Sequence, residues 1–492
     1  MKKNWLVFVV ALLVVAYPAS AWFIGKNVHS TMVANTERAL AAAPYIKVIK
    51  RNYQGGVFSS TEESTIEIAG DLFRSLAAMQ KTTKEKDVEP SEEAESDTAT
   101  DNPVAAPAEP INPILITVRN QVKHGPFARG GLALATVDTE FVFDEKVRQQ
   151  ISKAFAGKKP LEISTTLNFA GGGTSMVSSP AANVSIKDGA ATLIWRGLQG
   201  RVDFTKDVNR YKGDITAAGF EFVGGPNKET MKMSGVRMLS DKKRLNDASM
   251  FYLGKDNGSI KEMSFSSASD PGKAFNLKDI SYVGDMREAG GYVDMIAKMG
   301  ADKVVVGADG YGPAHYDFSI KHMHAATLEK LIKSFGEFYS GNHKTPEEIM
   351  AASMAPWKNY GPEMLKHNPE FIIDRISFTA PEGEAMLKAN VKIPGATPDD
   401  IANPMGLVGK VNASFDIAMP ETLLTRFSGI GKQTVDEKTA AADMMKQQLS
   451  GLAQQGYIVR ADKIWKSRLE WKDGKGSVNG KPIQAPGAMP AQ

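Results

Sequence analysis

His322 and His324 are one residue apart, and their types and spacing could do chemistry. On a strand both rings would face the same side, which is how two metal ligands can be placed. No acidic or histidine partner stands near them in sequence, so a surface pair is the plainer reading. Ser240-Asp241-Lys242-Lys243 fits S-x-x-K, the spacing of a serine nucleophile and its lysine. So short a pattern recurs by chance, and it lies in a charged segment expected to form an exposed turn. His124-Gly125-Pro126-Phe127 reads as a rigid turn after a strand from Ile114, either structural or touching a ligand. Gly171-Gly172-Gly173 is followed by no helical pattern, so it reads as a flexible turn rather than a phosphate cradle. The sequence has no H-E-x-x-H, no Walker A loop and no G-x-S-x-G elbow. It also has no cysteine, which excludes thiolate catalysis, disulfides and cysteine-based metal sites. The expectation is a protein that is not an enzyme, with no catalytic, cofactor-binding or metal-binding residue and no cofactor.

The elements that would position such residues begin with an apolar run. Trp5 to Ile24 carries no charge and follows Lys2 and Lys3. A helix of ~20 residues just spans a ~30 Å hydrocarbon core, and the lysines would hold the N-terminus on the cytoplasmic side. A cleaved signal is the rival, since Ala19-Ser20-Ala21 is an A-x-A pattern preceded by Pro18. The run continues through Trp22, Phe23 and Ile24, which favours an anchor. Either way the body is expected to be exported. At 492 residues, 42% hydrophobic and 23% charged, that body is globular and larger than one ordinary domain. Net charge is +3, but Lys81 to Pro110 holds nine Asp or Glu and three Lys, which leaves +9 elsewhere. Such a balance suits an anionic lipid surface or simple solubility. No basic run resembles a nucleic-acid patch, so nucleic acid is not expected as a partner.

Lys26 to Ala43 is a helical continuation that Pro44 would end. Lys81 to Pro110 lacks large apolar residues and reads as a disordered acidic loop between two strands. From Leu132 to His324 the chain reads as short strands divided by turn signals such as Lys187-Asp188-Gly189, Asp256-Asn257-Gly258 and Ala308-Asp309-Gly310. Helices are expected at Ala325 to Phe338, after Thr345 with Glu348, and after Thr434 with Glu437 up to about Gly456. The last quarter alternates with period two. Ala385, Leu387 and Ala389, then Val411, Ala413, Phe415 and Ile417, then Trp465, Leu469 and Trp471 share apolar faces. Asp473-Gly474 and Asn479-Gly480 should close hairpins. The fold class expected is α+β, predominantly β. It comprises an N-terminal transmembrane helix followed by a large antiparallel, curved sheet with a few packed helices. The parts are residues 1–25 (anchor), 26–80 with 111–340 (β-rich body), 81–110 (loop) and 341–492 (an α+β part of the same body).

Tyr53-Gln54-Gly55-Gly56-Val57-Phe58-Ser59-Ser60, His124-Gly125-Pro126-Phe127 and Gly476-Ser477-Val478-Asn479-Gly480-Lys481, in that order behind the apolar run, resemble the YdgA-like family of bacterial inner-membrane-anchored periplasmic proteins. The resemblance implies a single-pass inner-membrane protein with its body in the periplasm. It supplies no mechanism and no catalytic residues, because that family is a domain of unknown function. Three functions compete. One is a non-enzymatic envelope scaffold or interaction protein. Another is a carrier of lipid or another apolar ligand in a β-sheet groove, for which the one-sided strands are the motive. The third, an envelope hydrolase, has only location in its favour. Helices covering the apolar face would explain the same strands, and a packed core is preferred over a groove. Homo-oligomerisation and the identity of any protein partner stay open.

Overall fold

Period-two alternation dominates the sequence, and strands dominate the computed structural model. It describes residues 20–34, 36–37, 46–68, 114–128, 131–143, 145–186, 190–225, 228–247, 249, 251–307, 309–340, 346–397, 399–400, 404–428 and 434–483. The chain divides into two units, residues 1–144 with 330–360, and residues 145–329 with 361–492.

In the first unit β1 (Ile46–Gly55), β2 (Ser59–Ile68), β3 (Ile114–His124) and β4 (Ala135–Val142) pair antiparallel in sequence order. Helix α1, residues 20–34, lies against them. Its buried positions Ala21, Gly25 and Val28 recur at helical spacing and form one face. The buried His124 ring closes that contact, with Nδ1 donating to the Ala21 carbonyl oxygen at 2.8 Å. A side chain at Gly25 would start 2.5 Å from the ring, so only glycine admits this approach.

The second unit contributes β5 (Glu162–Leu167), β6 (Gly173–Ser179), β7 (Ala182–Ile186), β8 (Ala191–Trp195), β9 (Leu198–Phe204), β10 (Arg210–Gly224), β11 (Glu229–Arg244) and β12 (Tyr252–Ser266). They are followed by β13 (Phe275–Ala289), β14 (Tyr292–Val306), β15 (Asp309–Tyr311), β16 (Ala314–His324), β17 (Glu370–Ala380), β18 (Gly383–Lys392) and β19 (Asn412–Pro420). The last strands are β20 (Val459–Ala461), β21 (Ile464–Lys472), β22 (Lys475–Val478) and β23 (Lys481–Ile483). Antiparallel pairing joins β5, β6 and β9 to β10, runs in order from β10 to β14, then passes through β16, β17, β18 and β19 to β21. The further described helices are α2 (Glu145–Ala154), α3 (Ala325–Ser340), α4 (Pro346–Lys366), α5 (Pro404–Lys410), α6 (Glu421–Ser428) and α7 (Val435–Gln454), of which residues 330–340 of α3 and 346–360 of α4 are assigned to the first unit. Two small cores form where helices meet the sheet. Met364 of α4 packs with Val293 and Met323, joined by Leu328 of α3. Leu423 of α6 packs with Ala380 and Ala385.

The strands β10 to β14 are 15 or 16 residues long and cross a common kink. Gly219, Gly235 and Asp279 take φ of 124°, 63° and 50°. The ladders skip the pairs at 218/235, 235/261, 261/279 and 279/302, without shifting register on either side. Apolar positions change parity across this line, from Ala217, Val236, Ile260 and Ile280 to Phe220, Met233, Met263 and Leu277. A positive-φ residue re-aims the side chains beyond it, so this parity change keeps apolar residues together on one face.

Several sequence expectations are corrected. No helix among the described residues is long and apolar enough to cross a membrane, so the transmembrane helix leaves the fold class. Residues 1–19 of the expected span lie outside the described residues, and its end, Ala21 to Ile24, belongs to a helix seated on protein. Ser240-Asp241-Lys242-Lys243 lies inside β11 rather than in a turn. Asp256-Asn257-Gly258 lies inside β12, because neighbours β11 and β13 satisfy its backbone on both sides. The acidic loop from Lys81 to Pro110, the turn at Lys187-Asp188-Gly189 and the cap residue Thr345 lie outside the described residues.

Candidate functional site

Register partners in an antiparallel sheet point to the same face, so rows across the strands can be read from the pairing. One row runs Ile163, Val177, Gly200, Ile215, Met238, Gly258, Tyr282, Met299, Tyr316, Ile376, Leu387 and Ile417. It crosses β5, β6, β9 to β14 and β16 to β19 without one polar side chain other than the tyrosine hydroxyls. At ~4.8 Å between strands it is about 50 Å long. An apolar row flanks it on each side over part of that length. On one side lie Val236, Ile260, Ile280, Ala301, Ala314 and Phe378. On the other lie Ala297, Phe318, Ile373, Ala389, Phe415 and Leu469.

This strip is open. Met238, Tyr282, Met299, Tyr316 and Ile417 are exposed, at 46, 36, 38, 46 and 44%. The two helix-covered cores lie beside the row and contain none of its members. Two glycines, Gly200 and Gly258, leave gaps in the row. The Tyr282 side chain lies 3.5 Å from where a Gly258 side chain would begin, and its ring also passes over Gly284. Tyr316 meets Phe318 edge to face at 5.6 Å.

The other face is charged and self-paired. Arg237 donates to Asp214 at 2.9 Å, and Arg210 and Lys212 both reach Asp241, at 3.0 and 3.1 Å. The Arg237 guanidinium holds the Asp214 carboxyl below its ordinary range. A cleft of about 490 Å³ on this face is lined by Lys298, Asp317, Lys321, Asp374, Arg375 and Lys388. There Arg375 donates to Glu384 at 2.6 Å, and that bond keeps the Glu384 carboxyl low. Ser319 donates to Asp374 in the same cleft.

The residues singled out from sequence separate in the fold. His322 stacks on Tyr292 at 3.8 Å, and His324 stacks on His367 at 3.8 Å. His367, out of reach in sequence, is brought in by the end of α4, and its Nε2 lies 3.5 Å from Glu363. His322 has φ of 59° and its Nδ1 donates to the His367 carbonyl oxygen at 2.6 Å. The arrangement is a stacked ring cluster, and no group of three His, Cys, Asp or Glu among the described residues could hold a metal. Ser240 donates to Asp256, and the buried Lys242 pairs with the same carboxylate at 2.5 Å. Lys242 is therefore committed to an acid rather than poised beside the serine. His124 seats helix α1, and Gly172 tucks against the Phe204 carbonyl in a strand turn.

The fold and its site define a predominantly antiparallel-β protein with one open apolar face and one charged face. Residues 1–486 match a bacterial protein family of unknown function, DUF945, and the chain belongs to that family. No curated protein and no solved structure matches it.

Proposed function

We propose that this protein is a non-enzymatic carrier that lays a long apolar ligand, a lipid acyl chain or its chemical equivalent, along the strip of the second unit. The observation that supports this is the unbroken apolar row across β5 to β19 with its exposed central residues. Contiguous exposed apolar surface of this extent is rare on a protein that binds nothing. Its length of about 50 Å exceeds the ~15 Å depth of one bilayer leaflet, so an acyl chain fits with room to spare. The charged face opposite keeps the sheet soluble while the strip is open. A scaffold role is the second reading, with a partner protein on the same strip. A YdgA-like kinship and work outside the cytoplasm belong to this proposal, supported by the motifs and the lysine-led apolar run.

The test is native mass spectrometry of the full chain purified from bacterial membranes, with lipid extraction of the same sample. A stoichiometric lipid that an uncharged apolar dye displaces is the expected result. A lipid-free chain to which the dye does not bind would sink the carrier reading, and a co-purifying protein on the strip would favour the scaffold.

A further inference from the structure

We infer that the first unit rests on a lipid surface through one end of its four-stranded sheet. At this end β1 turns into β2, β3 leaves for β4, and residues 20–23 of helix α1 lie alongside. Its turns are tied together by backbone. The His124 amide donates to the Phe58 carbonyl at 3.0 Å, the Gly125 amide to the Leu134 carbonyl at 3.2 Å, and the His124 ring holds Ala21. Six large apolar residues are exposed on this frame: Trp22, Phe23, Val57, Phe58, Phe127 and Leu132. Leu132 is 78% and Phe23 61% exposed, values no folded core requires. At the far end of the same sheet Ile49 and Leu115 are the exposed large apolar residues.

Two features select a bilayer as the occupant. The charge at the tips is one-sided, because Lys26 and Lys123 stand exposed there and no acid occurs in 54–61 or 122–137, the segments that make this end. Lys26 reaches over the Trp22 ring at 5.8 Å, so cation and aromatic are presented together. Aromatic residues edged by lysine suit the headgroup region, where amphipathic rings settle and anionic lipids attract cations. The contact needs only the turn tips and residues 20–23 of α1, buried to headgroup depth.

The absence of cysteine makes the test direct. Leu132→Cys and Leu115→Cys in the full chain each take one environment-sensitive fluorophore, and vesicles of phosphatidylethanolamine with phosphatidylglycerol are added. Iodide quenching at position 132 should fall about threefold or more on vesicles, as for a residue entering the interface, while position 115 is unchanged. Adding Phe127→Glu should restore quenching at 132. If Leu132→Cys fails to fold by circular dichroism, Val57→Cys replaces it. Equal quenching at 132 and 115 on vesicles overturns the inference. Shielding that rises with protein concentration in the absence of vesicles also overturns it, by showing a second copy in the lipid's place.

Discussion

Replacing Met299 with glutamate puts a carboxylate in the middle of the apolar row. Met299 lies between Tyr282 and Tyr316 in register, and no basic residue belongs to the row. The site is 38% exposed, so the new side chain can turn toward water in the empty protein and the fold survives. A ligand laid along the strip must cover or push aside that carboxylate. An unpaired polar group costs roughly 1–3 kcal/mol to desolvate, which is about 5- to 150-fold in affinity. Ser281→Glu supplies the control. Ser281 is exposed, adjoins Tyr282 in β13, and faces the opposite side in register with Gly300. It adds the same charge a few ångströms away through the sheet. Titration with N-phenylnaphthylamine, an uncharged dye that brightens in apolar sites, reads the difference, with urea unfolding as the check on folding. Met299→Glu should weaken binding about tenfold or more, and Ser281→Glu less than about twofold. Equal losses would mean that the dye senses overall charge, and no loss in Met299→Glu would remove the strip from the binding site.

Gly219→Ala should destabilise the chain by about 2 kcal/mol or more in urea, because the new Cβ would start 2.0 Å from the Met233 carbonyl oxygen at φ of 124°. Gly310→Ala, which meets open space, should stay within ~0.5 kcal/mol. Thr434 and Glu437 form a capping box at the start of α7, so Thr434→Ala should cost ~1 kcal/mol by the same assay. The Lys410 ammonium, with the Thr397 hydroxyl and amide, draws the Asp400 carboxyl from 3.8 down to about 2. A depressed folded-state value stabilises the fold above pH 3.8, and that gain is lost as pH falls through about 2. Carboxyl-carbon NMR should place the Asp400 midpoint near 2, and a midpoint near 3.8 would show that the contacts do not form in solution.

The last quarter of the chain was legible because its alternation is unbroken. The strands around Ala385, Phe415 and Trp465 fall where their period-two pattern puts them. Asp473-Gly474 and Asn479-Gly480 both take positive φ at both positions and make the two-residue hairpins their types demand. Helix α7 starts on the capping box read at Thr434 and ends before Gly456. The middle was misread at Asp256-Asn257-Gly258, whose residue types look like a turn although they lie inside β12. A period-two count also loses phase at the positive-φ residues Gly219, Gly235 and Asp279. Five long strands therefore read as many short ones. The exposed strip was invisible for a related reason, since its members are as far apart in sequence as Ile163 and Ile417. Only the register shows that they share one line, and only the structure shows that the helices pack beside it. Sequence alone favoured a covered core. The ring cluster was half visible, as His322 and His324, because His367 arrives from another element.

The apolar row also has a modular character. Each step along it is one strand, and from β10 to β14 each strand is followed in sequence by its neighbour. Gaining or losing a single strand would reverse the direction of everything after it. Gaining or losing a hairpin restores both direction and facing, and changes the row by about 10 Å. The architecture can therefore be lengthened or shortened in whole-hairpin increments without redesigning what remains, so row length is a heritable variable largely independent of the rest of the fold.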